Sequence, residues 1–225
     1  MNKNYTEIAF VLDRSGSMAS SREAAIAGFN FFLNEQQAGS GLTKLTLVLF
    51  DDEYLVPINA LPVAEILPLN DDTYLPRGTT ALLDTIGRTV DQLGVQLAAI
   101  PEKARPGQVI VAILTDGLEN SSQTYTWTQI ARVIKHQTEQ YRWTFLFLGA
   151  NQDAIATAAQ MNIAPANASS FVVDPAGLRA ASRSLTRKMC GLQRIYEGQA
   201  SVQEAADAAA PLSDLTAEEE TKERR

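Results

Sequence analysis

Short, almost wholly apolar runs separated by stretches of helical periodicity narrow the fold more than any other feature of this chain. Ile8-Ala9-Phe10-Val11-Leu12, Leu45-Thr46-Leu47-Val48-Leu49-Phe50, Val109-Ile110-Val111-Ala112-Ile113-Leu114 and Trp143-Thr144-Phe145-Leu146-Phe147-Leu148 are each strand-length and rich in branched or aromatic residues. Runs of this kind describe strands buried on both faces. Alternation with helical patterns then implies a parallel sheet covered by helices on each side. At 225 residues and 45% hydrophobic, the chain has enough material for one substantial core.

The intervening segments sharpen this reading. Ser20-Ser21-Arg22-Glu23 has capping-box spacing and predicts a helix to about Gln37, ended by Gly39 and Gly41. Asp51-Asp52-Glu53 reads as an exposed hairpin turn into Tyr54-Leu55-Val56-Pro57-Ile58, whose proline suits an edge strand. After Thr80, the spacing of Leu83, Ile86, Val90, Leu93 and Leu97 gives one apolar helical stripe. Thr126 and Gln129 have the spacing of a second capping box, Asn151 reads as an N-cap, and residues 170–173 read as a sixth strand. Asp174-Pro175 joins an N-cap to a proline at the first helical position. The expected architecture is α/β: a doubly wound, mainly parallel six-stranded sheet with one antiparallel edge strand and helices on both faces.

The last predicted helix turns Leu178, Ala181, Leu185, Met189, Leu192 and Ile195 inward and carries Arg179, Arg183, Arg187, Lys188 and Arg194 around them. Its basic face reads as solvated; a partner-binding role is the sharper alternative. From Glu197 onward eight acidic residues face three basic ones, a balance of −5 within a total of −7. The chain therefore divides into a domain over residues 1–196 and an acidic tail over 197–225, expected to be disordered or partly helical. A tail carboxylate reaching the binding site of its own or a neighbouring molecule is a hypothesis this composition invites.

Two strand runs stop at aspartates, Asp13 and Asp116, and in open α/β sheets ligands bind outside the carboxyl ends of the strands. Around them stand Ser15 and Ser17 in Asp13-Arg14-Ser15-Gly16-Ser17, Thr80 in Gly78-Thr79-Thr80-Ala81-Leu82, and Asp116 in Thr115-Asp116-Gly117. Three hydroxyls and two carboxylates suit a hard cation that prefers oxygen ligands and retains waters, as Mg²⁺ does. Each piece alone is ordinary turn or cap chemistry; the combination is what carries weight.

These residues resemble the metal-ion-dependent adhesion site of the von Willebrand factor A domains, a family whose motif reads Asp-x-Ser-x-Ser, then a threonine, then an aspartate after a strand. The resemblance covers roughly residues 5–195. It implies that Ser15, Ser17 and Thr80 contact the metal directly or nearly so, and that Asp13 and Asp116 contribute directly or through water. Thr80 precedes the helix start Ala81-Leu82-Leu83-Asp84 that the motif favours, with Thr79 as the alternative. Mg²⁺ is the implied cofactor, with Mn²⁺ or Ca²⁺ as substitutes. The implied activity is binding a protein partner through that partner's Asp or Glu, with Arg14 beside the open side selecting for the acid. Relatives inside cells often work beside AAA+ ATPases, which makes such a protein a candidate partner.

Other functions fit less well. The negative balance argues against a nucleic-acid footprint. No signal-like apolar core or membrane-length run is seen, and Cys190 is the single cysteine, so a cytoplasmic setting without membrane anchoring is expected. His136, the one histidine, falls in a predicted helix far from any serine motif. Nucleophile-elbow, phosphate-loop and dinucleotide motifs are missing. The chain is therefore expected not to be an enzyme. The alternatives are an Mg²⁺-dependent phosphoester hydrolase, or a scaffold whose metal staples its loops.

Overall fold

Side-chain alternation along the strands builds two apolar layers. In the computed structural model, which describes every residue except Ser40, Asn151 and Gln152, the strands are β1 (Asn2–Asp13), β2 (Leu42–Phe50), β3 (Tyr54–Pro62), β4 (Pro106–Thr115), β5 (Thr144–Ala150) and β6 (Ala168–Phe171). They form one sheet of order β3-β2-β1-β4-β5-β6. All neighbours are parallel except β2 and β3, so the antiparallel edge strand is where Pro57 had placed it. On β1, Ile8, Phe10 and Leu12 enter one core with Ile110, Ala112 and Leu114 of β4, while Ala9 and Val11 enter the other with Val109, Val111 and Ile113. That period of two is what a strand with both faces covered requires.

Helices α1 (Arg22–Gln37) and α5 (Pro175–Glu197) cover the first face. Helices α2 (Leu82–Ala99), α3 (Trp127–Tyr141) and α4 (Ala154–Gln160) cover the second. Leu83, Ile86, Val90, Leu93 and Leu97 are all buried, as their spacing required; each such side chain contributes about 1.5–3 kcal/mol. Phe10, Phe29 and Phe32 form an aromatic nest that locks α1 to β1, with ring centroids 4.9–6.1 Å apart.

Several local expectations change. Residues 16–21 form a 3₁₀ turn (Gly16–Ser21) running straight into α1, so Ser20 caps nothing and the Ser20 to Glu23 box does not form. The chain reaches α1 already wound, which leaves no free end for a side chain to close. The Thr126–Gln129 box does form, and Asp174 accepts from Gly177 N at 2.6 Å with Pro175 opening α5. Asn151 lies outside the described residues; Asp153 caps α4 by accepting from Ala156 N at 2.9 Å. Asp51 is not an exposed turn former but wholly buried, and Ile195 is half exposed rather than inward.

The acidic stretch differs most. It forms α6 (Val202–Ala209), opened by a Ser201–Glu204 capping box, and α7 (Leu212–Glu223), and both lie on α5 with Ala208, Leu212 and Leu215 buried. The arginine face of α5 is accordingly not left to solvent. Glu223 pairs with Arg179 and Arg183, and Asp207, Glu218 and Glu219 pair with Arg187. Carboxylates that repel one another in isolation are ordered here by the cations facing them.

Candidate metal centre

Strand order reverses between β1 and β4, and the candidate residues gather at that point. Leu12 is in register with Leu114, so Asp13 and Thr115 leave the sheet side by side. Thr115 Oγ1 donates to Asp13 Oδ2 at 2.5 Å, and Ser15 N donates to Asp13 Oδ1 at 2.6 Å, so both oxygens of this fully buried carboxylate are held. Ser15 Oγ lies 3.0 Å from Ser17 Oγ, and Ser17 Oγ donates to Asp116 Oδ1 at 2.5 Å. Asp13, Ser15 and Asp116 are buried while Ser17 is exposed, which opens the cluster to solvent on one side.

The third loop closes over these two. Gly78, with φ of 68°, turns the chain so that its carbonyl accepts from Gly16 N at 3.1 Å. Two residues on, Thr80 is buried against the loop that follows β4. A Cβ on Gly117 would come within 2.5 Å of Thr80 Oγ1, so only glycine lets the hydroxyl sit there. Thr80 N donates to Asn120 Oδ1 at 2.9 Å, and Asn120 N donates to Thr80 O at 3.1 Å. Thr79, the alternative, is exposed, and its backbone N donates to Asp52 Oδ1 at 3.3 Å.

This arrangement of strands, helices and loops recurs in solved structures. A von Willebrand factor type A protein from Catenulispora acidiphila has a TM-score of 0.55 at 19% identity, over 83% of this chain and 42% of that one. The fold is that of a von Willebrand factor A domain. Manganese-loaded TRAP protein from Plasmodium vivax has a TM-score of 0.54 at 17% identity, over 80% of this chain and 72% of that one. Proximal thread matrix protein 1 of the mussel byssus, with a zinc-occupied adhesion-site motif, has a TM-score of 0.53 at 15% identity, over 81% of this chain and 45% of that one. The chain thus spans less than half the length of two of these three proteins. No protein-family model and no curated protein matches the sequence.

Within this von Willebrand factor A fold, one atom tests whether the cluster suits a cation. Asp116 Oδ2 is buried and has no hydrogen-bond partner, a condition that costs about 1–3 kcal/mol or more for a charged acceptor. Burial also pushes the Asp13 carboxyl up to about 6, against the bonds from Thr115 and Ser15, and the neighbouring Asp116 charge adds to the rise. Asp116 is raised by burial too, opposed by Ser17. Two buried carboxylates with an orphaned oxygen between hydroxyls are short of positive charge. Among the described residues no three His, Cys, Asp or Glu side chains are arranged so that they could hold a metal ion, so a cation here would be held largely by hydroxyls, as a hard ion allows.

Arg14 does not stand at the open side as expected. Its side chain is buried, with Nη2 3.0 Å from Asp51 Oδ2 and 3.3 Å from Glu53 Oε2, and Arg77 Nε joins the same Asp51 oxygen at 3.1 Å. A guanidinium so committed ties the first loop to the hairpin behind the site and cannot reach out to a partner acid. Asp51 and Asp52, discounted as turn formers, therefore belong to the support of the site.

Other residues support the site without having been given a role there by the sequence. Tyr74, fully buried, donates from its hydroxyl to Asp13 O at 2.5 Å. Asp84 accepts from Gln123, Thr124 and Tyr125 N at 2.7–2.9 Å; burial alone would raise its carboxyl, but these amides outweigh it and hold the group below the usual range. Glu119 accepts from Leu83 N at 2.9 Å and anchors the same loop to α2. Only Thr115 carried a usable signal, as a hydroxyl one residue before Asp116. His136 lies on α3 in a hollow lined by Pro106 and Trp143, at the amino ends of β4 and β5 and hence across the sheet from the cluster.

Proposed function

We propose that Asp13, Ser15, Ser17, Thr80 and Asp116 hold one divalent cation, Mg²⁺ by preference, with Mn²⁺ or Ca²⁺ able to replace it. On this reading the domain is a protein-binding module, and an Asp or Glu of the partner completes the ion's coordination. The observation that carries the reading is the buried, unpartnered Asp116 Oδ2, on a carboxylate whose other oxygen accepts from Ser17 at a solvent-open sheet edge. Bound there, the cation would supply an electrophilic point for an incoming carboxylate, because two protein carboxylates leave much of its charge unanswered.

The chain's own residues do the rest. Thr115 and Ser15 N keep Asp13 oriented, Ser17 fixes Asp116, and the Gly78 and Gly117 loops bring in the Thr80 hydroxyl. Ser17 and the exposed backbone around Gly16 form the rim a partner would meet. The manganese-loaded and zinc-occupied structures of similar fold support a divalent ion without choosing it here.

Affinity capture from cell extract, run in parallel with Mg²⁺ and with chelator, tests the proposal. A protein retained only with Mg²⁺, and lost with Asp116→Ala while the domain stays folded, is the expected result; an AAA+ ATPase is one candidate to seek. Capture indifferent to chelator would overturn it.

A further inference from the structure

The arginine row on α5 is the largest charged feature that the proposed cation site does not use. Arg179, Arg183 and Arg187 recur every four residues and so share one helix face. Glu223 Oε2 lies 2.8 Å from Arg179 Nε and its Oε1 3.1 Å from Arg183 Nε, while Glu218 and Glu219 reach Arg187 Nη1 at 2.9 and 2.8 Å. Rising numbers in α7 meet falling numbers in α5, so the two helices run antiparallel. Asp207 of α6 holds the other side of Arg187 at 2.7 Å.

Helix α7 is held differently along its length. Its first half is apolar against α5: Leu212 and Leu215 are buried, and Thr216 Oγ1 lies 2.9 Å from Ser184 Oγ. After Thr216 no buried apolar side chain follows. There the contact is charge against charge, with the three arginine side chains 22–46% exposed and a further pair from Arg224 to Asp174 at the tip. Pairs whose guanidinium reaches solvent weaken with salt, although their partners Glu219 and Glu223 are only 6% and 13% exposed. The second half of α7 is thus the part that can be displaced while its first half stays anchored.

We infer that the arginine row of α5 is a docking face for an acidic helix of a partner protein, covered at rest by residues 217–223 of this chain. The partner helix carries carboxylates four or five residues apart, as Glu219 and Glu223 or Glu218 and Glu223 are. No acidic residue stands between Ala176 and Tyr196 on α5, so nothing on the helix itself repels such a ligand. A face occupied by its own chain binds an outside ligand only in proportion to the time it is open. Release of the clamp therefore sets the affinity, and none of this depends on the cation site.

The test uses the full chain with Glu218→Gln, Glu219→Gln and Glu223→Gln together, which removes the pairs without adding charge. Amide hydrogen exchange over 217–225 should accelerate about tenfold. A fluorescent peptide of residues 212–225 should bind the variant in low salt and bind wild type at least several-fold more weakly. Adding Arg179→Ala and Arg183→Ala should abolish that binding, with the thermal melt confirming a folded domain. Unchanged exchange would show that charge does not hold the clamp, and release without peptide binding, or binding indifferent to the two arginines, would show that the face is no docking surface. Dimerisation of the variant would make a second copy the occupant and overturn the assignment to another protein.

Discussion

The cluster at the carboxyl edge of the sheet and the acidic helices on α5 both concentrate carboxylates, yet they treat them in opposite ways. On α5 each tail carboxylate in contact meets a guanidinium, and buried Lys188 donates to the Ala208 and Ala210 carbonyls that end α6. At the sheet edge Asp13 and Asp116 are met by hydroxyls and the Ser15 amide, and one oxygen is left without a partner. Paired charge is how a fold holds itself together; unanswered buried charge is how it waits for something else. In this structure the tail residues Asp207, Glu218, Glu219 and Glu223 are engaged on α5 and not at the sheet-edge cluster.

Removing hydroxyls from the edge should act on the cation and not on the fold. Thr80→Ala and Ser15→Ala are each expected to weaken Mg²⁺ binding about 10–100-fold, read by calorimetry, while thermal stability without metal changes little. Equal losses of stability and affinity would mean that the cluster is a structural staple like the tail. Leu212→Ala should do the reverse: about 2–5 kcal/mol of unfolding free energy lost, read by urea denaturation, with cation affinity retained.

Glu7 provides a control, since it too is buried with an unpartnered oxygen, but midway along β1, with the Tyr5 hydroxyl on its other oxygen. Burial raises its carboxyl from 4.5 to about 7, against the Tyr5 hydroxyl that donates to it and the nearby Lys44. The folded state therefore holds this proton more tightly than the unfolded chain does. Its contribution is complete below the unfolded value and is lost as pH rises through about 7, up to about 3 kcal/mol in all. Glu7→Gln should flatten that part of the stability profile relative to wild type, and an unchanged profile would mean that Glu7 stays ionised. Arg183→Ala should have the smallest effect, 0–1 kcal/mol, because its pair with Glu223 is half exposed.

How legible each region was in the sequence follows from the range of the forces involved. Strands and α2 were readable because an unbroken apolar run in Ile8 to Leu12, and spacings of three and four in Leu83 to Leu97, are written locally. Asp13, Ser15, Ser17, Thr80 and Asp116 were readable as a set because their spacing resembles a known motif, and the register of β1 with β4 places four of them within hydrogen-bond reach of one another or of Thr115. Arg14, Asp51 and the arginine face of α5 were misjudged for one reason: a charge in sequence looks solvated until the residue that neutralises it is known. For Arg14 that residue is 37 positions away, and for Arg187 it is 20 or more. Tyr74 under Asp13 had no local signature at all.

Calorimetric titration of Mg²⁺ into the chelator-treated chain, beside Asp116→Ala, tests the central claim most directly. One saturable site per wild-type molecule, lost in the variant while its melt stays cooperative, is the predicted result. No heat of binding in wild type, or equal binding in Asp116→Ala, would contradict it.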